Sequence, residues 1–113
     1  MTFVKINGVE YQAEIYGLER DGSWDDRQSK NIITSELTYE QAKELFFDGC
    51  SWSIIVRNTD SDTLDEYYEE EFDNSDFNIP GPIVDFRDGR VSIKMGKQTD
   101  LEQAYELLYG STN

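Results

Sequence analysis

Two dipeptides, Asn7-Gly8 and Asp88-Gly89, constrain the fold of this chain more than any other feature of it. Each is a preferred pair for a type I′ turn, whose two central residues both need positive φ. Each is also flanked by alternating apolar residues. A two-residue loop at Asn7-Gly8 pairs Ile6 with Val9 and Val4 with Tyr11. Those residues, continued by Ala13 and Ile15, then share one face, while Glu10, Gln12 and Glu14 take the other. The same register at Asp88-Gly89 pairs Phe86 with Val91 and Val84 with Ile93, again giving one apolar face. Hairpins of this kind build antiparallel sheet, not a parallel βαβ alternation.

Between the hairpins the signals are more varied. Residues 17–31 are polar and read as a loop with Trp24 tucked back onto the core, and residues 32–37 read as a third strand. Thr38 and Gln41 form a capping box that opens a helix, with Tyr39, Ala42, Leu45 and Phe46 at helical spacing. Gly49 supplies a left-handed C′ position to end it. Residues 50–57 then alternate as a strand, with Trp52, Ile54 and Val56 on one side. Ile55 lies opposite, so both faces of that strand are covered. A second capping box, Thr99 with Glu102, opens a final helix whose stripe is Leu101, Ala104, Tyr105 and Leu108, closed by Gly110. The sum is an α+β fold: a single domain over residues 1–113, mostly antiparallel sheet of about five strands with two or three helices.

Composition excludes several functions. The chain has no histidine and one cysteine, Cys50. Without histidine there is no His-dependent triad, and one cysteine cannot form an internal disulfide, which favours a reducing compartment. No apolar run approaches the roughly 20 residues that span a bilayer, and no secretory leader is expected after Met1. A cytoplasmic location in a bacterial host cell, with no membrane contact, is the expectation.

The charge is concentrated. Lys plus Arg number 10 against 24 Asp plus Glu, leaving −14. From residue 58 to residue 86 there is no basic residue, and Asp60, Asp62, Asp65, Glu66, Glu69, Glu70, Glu71, Asp73, Asp76 and Asp85 all fall there. Within this acidic segment, Leu64, Tyr67, Tyr68 and Phe72 recur at helical spacing and predict a helix starting near Asp62. Its carboxylates have no Lys partners at i+4, so docking of the aromatic stripe must hold it. Residues 62–71 as a helix would span about 15 Å. Six carboxylates over that length is one per about 2.5 Å, near the one charge per roughly 1.7 Å of duplex DNA. The candidate partner-binding residues are therefore Asp62, Asp65, Glu66, Tyr67, Tyr68, Glu69, Glu70, Glu71, Phe72, Asp73 and Asp76, with Phe77 as a further aromatic anchor. The partner they suit is a basic protein such as a nucleic-acid-binding nuclease. The plainer reading is a solvated face that keeps the protein soluble.

Other chemistries fit less well. Asp60-Ser61-Asp62 begins like a calcium loop and Glu71 falls at its twelfth position. Leu64 and Asp65, however, stand where an oxygen ligand and glycine are needed, so no metal is expected. Close carboxylate pairs carry no information among 24 acids, and Cys50 lacks a base, so no catalytic residue is assigned. Gly96-Lys97-Gln98-Thr99 lacks the rest of a phosphate loop, and Thr99 is explained as a cap, so no cofactor is expected. Direct nucleic-acid binding is disfavoured by the net charge. The one basic cluster, Arg87, Arg90, Lys94 and Lys97, reads as neutralising part of the acidic segment.

Residues 35–46 (SELTYEQAKELF) and 94–102 (KMGKQTDLE) look like stretches of small acidic uncharacterised proteins from Gram-positive phages and mobile elements. The run DEYYEEEF at residues 65–72 resembles, in composition, anti-CRISPR proteins that act as nucleic-acid mimics. That resemblance implies an inhibitor that occupies the basic DNA-binding or PAM-reading cleft of a CRISPR nuclease. The rival expectation is a phage structural or assembly protein that works through a sheet edge or hairpin and has no mimic role.

Overall fold

The Asn7-Gly8 turn forms as its residues dictate, with φ of 53° and 78°. It joins β1 (Thr2–Ile6) to β2 (Val9–Gln12) in the expected register, Ile6 opposite Val9 and Val4 opposite Tyr11. The computed structural model describes residues 1–58 and 68–110. Over these it is α+β, with eight strands in two antiparallel four-stranded sheets and two helices. That is more strands and fewer helices than the sequence predicts.

The first departure comes at Ala13. This buried residue donates its N–H to the Thr2 carbonyl at 3.0 Å and passes the chain from one sheet to the other. Residues 14–34 then form a long hairpin, β3 (Glu14–Asp21) and β4 (Arg27–Thr34), where the sequence reads mainly as loop. The reason lies in where its polar groups go. Asp21, Arg27 and Ser29 are buried. Asp21 accepts from the Ser29 hydroxyl, and the terminal nitrogens of Arg27 donate to Glu102 and the Lys97 carbonyl, Arg27 Nε alone lacking a partner among the described residues. A polar segment thus forms an interior strand. Its turn holds Asp25 and Asp26 in the left-handed region, φ 57° each.

Helix α1 (Tyr39–Leu45) carries the expected capping box. The Thr38 hydroxyl accepts from the Gln41 N–H and the Gln41 side chain accepts from the Thr38 N–H. The helix ends at Phe46, earlier than Gly49. Gly49, at φ 89°, instead shapes the following turn and donates its N–H to the Asn78 carbonyl. Next comes β5 (Ser53–Asn58), central in the first sheet and buried on both faces at Ile54 and Ile55.

The strands β7 (Ile79–Asp85) and β8 (Val91–Gly96) form the second expected hairpin, one residue out of the expected register. Ile83 faces Ile93 and Asp85 faces Val91, with the Phe86 N–H donating to the Arg90 carbonyl. The loop thus holds three residues, with positive φ at Arg87 (61°) and Gly89 (94°). A one-residue slip turns side chains to opposite faces. Val91 and Ile93 enter the core, while Val84 and Phe86 point to solvent.

The sheets run β2-β1-β5 followed by β6 (Tyr68–Asp73), and β3-β4-β8-β7. Between them Val4, Ile6 and Ile54 cluster with Ile32, Ile93 and Met95, together with Ala42 of α1 and Phe46 at its C-cap. Burial of each large side chain here is worth about 1.5–3 kcal/mol. Trp52 sits edge-on to Phe46 in this core, ring centroids 6.0 Å apart. The last described element is α2 (Asp100–Tyr105), continued by a π-helical turn over Glu106–Gly110. Its capping box forms as expected, but no residue of α2 is buried.

Candidate functional site

The acidic segment is where the structure departs most from the sequence reading. Tyr68–Asp73 is a strand, β6, not part of a helix. Contiguous glutamates without basic i+4 partners repel along a helix, whereas Tyr68 and Phe72 favour a pleated surface. Asp62, Leu64, Asp65, Glu66 and Tyr67 lie outside the described residues, as does most of the calcium-like loop. Strand geometry splits the described acids between two faces, so same-face carboxylates stand about 7 Å apart. The helical spacing of one charge per about 2.5 Å is therefore not carried by β6.

Glu69, Glu71 and Asp73 share the outer face of the first sheet, and two of them are engaged there. The Arg57 guanidinium donates to Glu69 at 2.7 Å through Nε and to Glu10 of β2 at 2.8 Å. It also stands 4.7 Å from the Phe3 ring centroid. These carboxylates hold the Arg57 proton more firmly than usual. Glu71 accepts from the Ser53 hydroxyl at 2.8 Å and faces Lys5 Nζ at 3.8 Å. Asp73 accepts from Ser75 through both its hydroxyl and its N–H, which lowers the Asp73 pKa. On the other face Tyr68, Glu70 and Phe72 follow one another, with the Tyr68 hydroxyl bonded to Glu70, which raises the Tyr68 pKa. All six residues of β6 are exposed, Tyr68 to 50% and Phe72 to 45%. Asp76 is exposed in the turn that follows.

Phe77 is not a surface anchor. It is buried, its carbonyl accepts from the Trp52 indole at 2.8 Å, and Lys30 Nζ stands 4.5 Å from its ring centroid. Lys30 also donates to Asn74 Oδ1, and its burial pulls its pKa down.

The expected basic cluster finds other partners. Lys94 donates to Asp21 at 2.6 Å, and Arg90 pairs with Asp88 at 2.8 Å. Asp21 also accepts from the hydroxyls of Ser23 and Ser29, so its carboxyl titrates far below the usual carboxylate range, the Lys94 bond being the largest cause. Beside this cluster Arg27, 5% exposed, grips Glu102 of α2 with two bonds of 2.8 and 3.1 Å. This polar network ties β3, β4, β8 and α2 together. The sequence carried one signal of it, the capping-box Glu102, whose second use only the fold reveals. Cys50 is buried, and burial pushes its thiol pKa up.

Among the described residues no group of three or more His, Cys, Asp or Glu is gathered so as to hold a metal ion. None of their helices is long and apolar enough to cross a membrane. No protein-family model, curated protein or solved structure matches the chain.

Proposed function

We propose that this is a non-enzymatic binding protein of a phage or mobile element, an inhibitor that presents carboxylates to a basic nucleic-acid-binding partner. One observation carries the reading: β6 is an edge strand among the described residues, wholly exposed, with four acids in six positions. It lies within the base-free stretch 58–86, whose field attracts a Lys/Arg-lined cleft at long range and is screened by salt. Mimicry on β6 is of charge rather than of helical spacing. Tyr68 and Phe72 stand beside Glu70 as apolar contacts of the kind that anchor interfaces.

The experiment is a pull-down against a CRISPR nuclease, with and without guide RNA, across a salt series. Binding is expected to weaken with salt. It should fall about tenfold or more when Glu69, Glu70 and Glu71 become Gln and Asp73 and Asp76 become Asn. Undiminished binding by that variant would sink the acidic-face mechanism.

A second reading, a phage structural or assembly protein, is favoured by the outer face of edge strand β3, where Tyr16 and Leu18 are about half exposed. It predicts salt-insensitive self-association or co-purification with virion proteins, lost on Tyr16→Lys.

A further inference from the structure

Among the described residues the two sheets leave four edge strands, β2 and β6 in one and β3 and β7 in the other. An edge presents unpaired N–H and C=O groups to any further strand, and proteins blunt it with proline, bulges, short length or cover. Three of the four edges are blunted in this way. β7 contains Pro80 and Pro82, which have no N–H to donate. β3 is interrupted by a register shift between Leu18 and Asp21. β2 is four residues long, and at Gln12 both main-chain groups are taken: the N–H donates to the Glu36 carboxylate and the carbonyl accepts from the Thr34 hydroxyl.

The fourth edge, β6, has none of these devices. It pairs with β5 without a register shift from Tyr68 to Asp73, and it contains neither proline nor glycine. Bonding direction alternates along an antiparallel strand, so two flanking bonds fix which main-chain groups face outward. Arg57 exchanges bonds of 2.8 and 2.7 Å with Met1, so it faces away from β6. The Trp52 carbonyl accepts from the Asn74 N–H at 2.9 Å, so Trp52 faces toward it. By alternation Ile54 and Val56 bond Phe72 and Glu70, their partners in the register. The N–H and carbonyl of Glu71 and of Asp73 therefore point away from the sheet, where no strand of the described residues pairs with them.

What guards this edge is charge. Glu71 has a 3.8 Å contact with Lys5, while Glu70 and Asp73 face hydroxyl and amide groups and, among the described residues, no base. A second copy laid edge to edge would set carboxylate against carboxylate, which is destabilising across strands. A strand with Lys or Arg opposite Glu71 and Asp73 reverses that sign, and an apolar residue between them meets Phe72 on the other face. We propose that β6 takes up an extended basic segment of its partner as a fifth strand of the first sheet, main chain bonded to main chain at Glu71 and Asp73. This rests on the reading that the partner is basic and binds β6, and it adds the form of the contact.

The probe is a labelled peptide of about eight residues alternating Lys with Val, a usual strand length, titrated with the full chain by fluorescence anisotropy. Amide exchange followed by NMR reads the main chain directly. With peptide bound, the N–H groups of Glu71 and Asp73 should exchange about tenfold or more slowly. The same peptide with its central amides N-methylated keeps every charge but cannot donate, and should bind about tenfold more weakly or worse. A Gln/Val peptide, which keeps the amides and lacks the charge, should also bind about tenfold more weakly. On the chain, Glu71→Pro removes one outward N–H, a change that edge strands tolerate. It should weaken binding well beyond Glu71→Gln, which removes the charge alone. Equal binding of the N-methylated peptide, or unchanged exchange at Glu71 and Asp73 under saturating peptide, overturns strand addition and leaves the acidic-face reading standing. That reading fails separately, through undiminished capture by the Gln/Asn variant of β6. A dimer of the chain alone, seen by sedimentation and dispersed by Glu71→Pro, also overturns the proposal, because a second copy would then be the occupant.

Discussion

The six-membered ring of Trp24 lies so close to Gly96 that a Cβ on that glycine would stand 2.6 Å from Cζ3 and 2.7 Å from Cη2. Gly81, on the neighbouring strand, offers the same kind of floor: its Cβ would stand 3.0 Å from Cη2. The Arg27 guanidinium stands 4.8 Å from the centroid of the same indole. Two glycines on paired strands thus make room for the side chain that closes the β3–β4 turn. Gly96→Ala should destabilise the protein by about 1–3 kcal/mol, the usual cost of overpacking. Trp24→Ala should recover part of that penalty, the remainder coming from Arg27 Cδ, 2.8 Å from the same Cβ position. A double-mutant cycle by urea denaturation measures the coupling, expected to exceed about 0.5 kcal/mol.

The Arg27–Glu102 pair makes α2 sensitive to acid. The Arg27 guanidinium beside it, helped by the Thr99 N–H, holds the Glu102 carboxyl down at about 2, against an ordinary 4.5. A depressed carboxylate pKa means that the unfolded chain binds the proton first. The stabilisation is complete above pH 4.5 and is lost as pH falls toward 2. Glu102 is partly exposed, so solvent screens the pair and its loss in Glu102→Gln should cost only about 1–2 kcal/mol at pH 7. The difference in urea midpoint between parent and variant should shrink steadily below pH 4.5 and vanish near pH 2. A difference independent of pH would assign the effect to shape, not charge.

Local chemistry was the legible part of this fold. Asn7-Gly8, Thr38 with Gln41, and Thr99 with Glu102 each act within a few residues, and each forms as its side chains require. What the sequence concealed depends on partners far along the chain. Arg27 reaches Glu102 75 residues away and Asp21 reaches Lys94 73 away, which turns a polar loop-like stretch into a hairpin whose second strand, β4, lies inside the sheet. The apolar spacing of Tyr68 and Phe72 fits a helix in isolation, and pairing with β5 overrides it. Of the candidate site, the exposed acids Glu69, Glu70, Glu71, Asp73 and Asp76 were legible; the sharing of Arg57 between Glu69 and Glu10 was not, because it depends on β2, β5 and β6 coming together in one sheet.

The β7–β8 hairpin pays a local cost for its register. Arg87 occupies the left-handed region at φ 61°, where an L residue is strained by its Cβ. Its N–H donates to the Asp85 carboxylate at 2.9 Å, which pins the loop. Arg87→Gly should relieve the strain and stabilise the protein by about 0.5–1 kcal/mol, net of the extra freedom glycine gives the unfolded chain. Gly89→Ala, at φ 94°, should destabilise by about 1 kcal/mol or more. Opposite signs at two positions of one loop, measured by thermal denaturation, would establish the three-residue turn; a two-residue turn would leave Arg87 outside the left-handed region and make its replacement neutral or unfavourable.

Trp52 links the core to the segment that follows the acidic strand. Its indole N–H donates to the Phe77 carbonyl at 2.8 Å, and its own carbonyl accepts from the Asn74 N–H at 2.9 Å. Residues 74–77 are therefore held by one tryptophan through both its side chain and its backbone. In Trp52→Phe the backbone bond survives, while the Phe77 carbonyl loses its partner and the Phe46 ring loses part of its edge contact. The unmade bond and the small cavity together should cost about 2–3 kcal/mol. Trp52 is 3% exposed, so its fluorescence reports on core packing, and Trp24→Phe gives a chain in which it is the sole tryptophan, to be excited selectively over tyrosine. In that background emission should be blue-shifted and resist quenching by acrylamide until global unfolding. Easy quenching before the main transition would place residues 74–77 in a unit that opens ahead of the core.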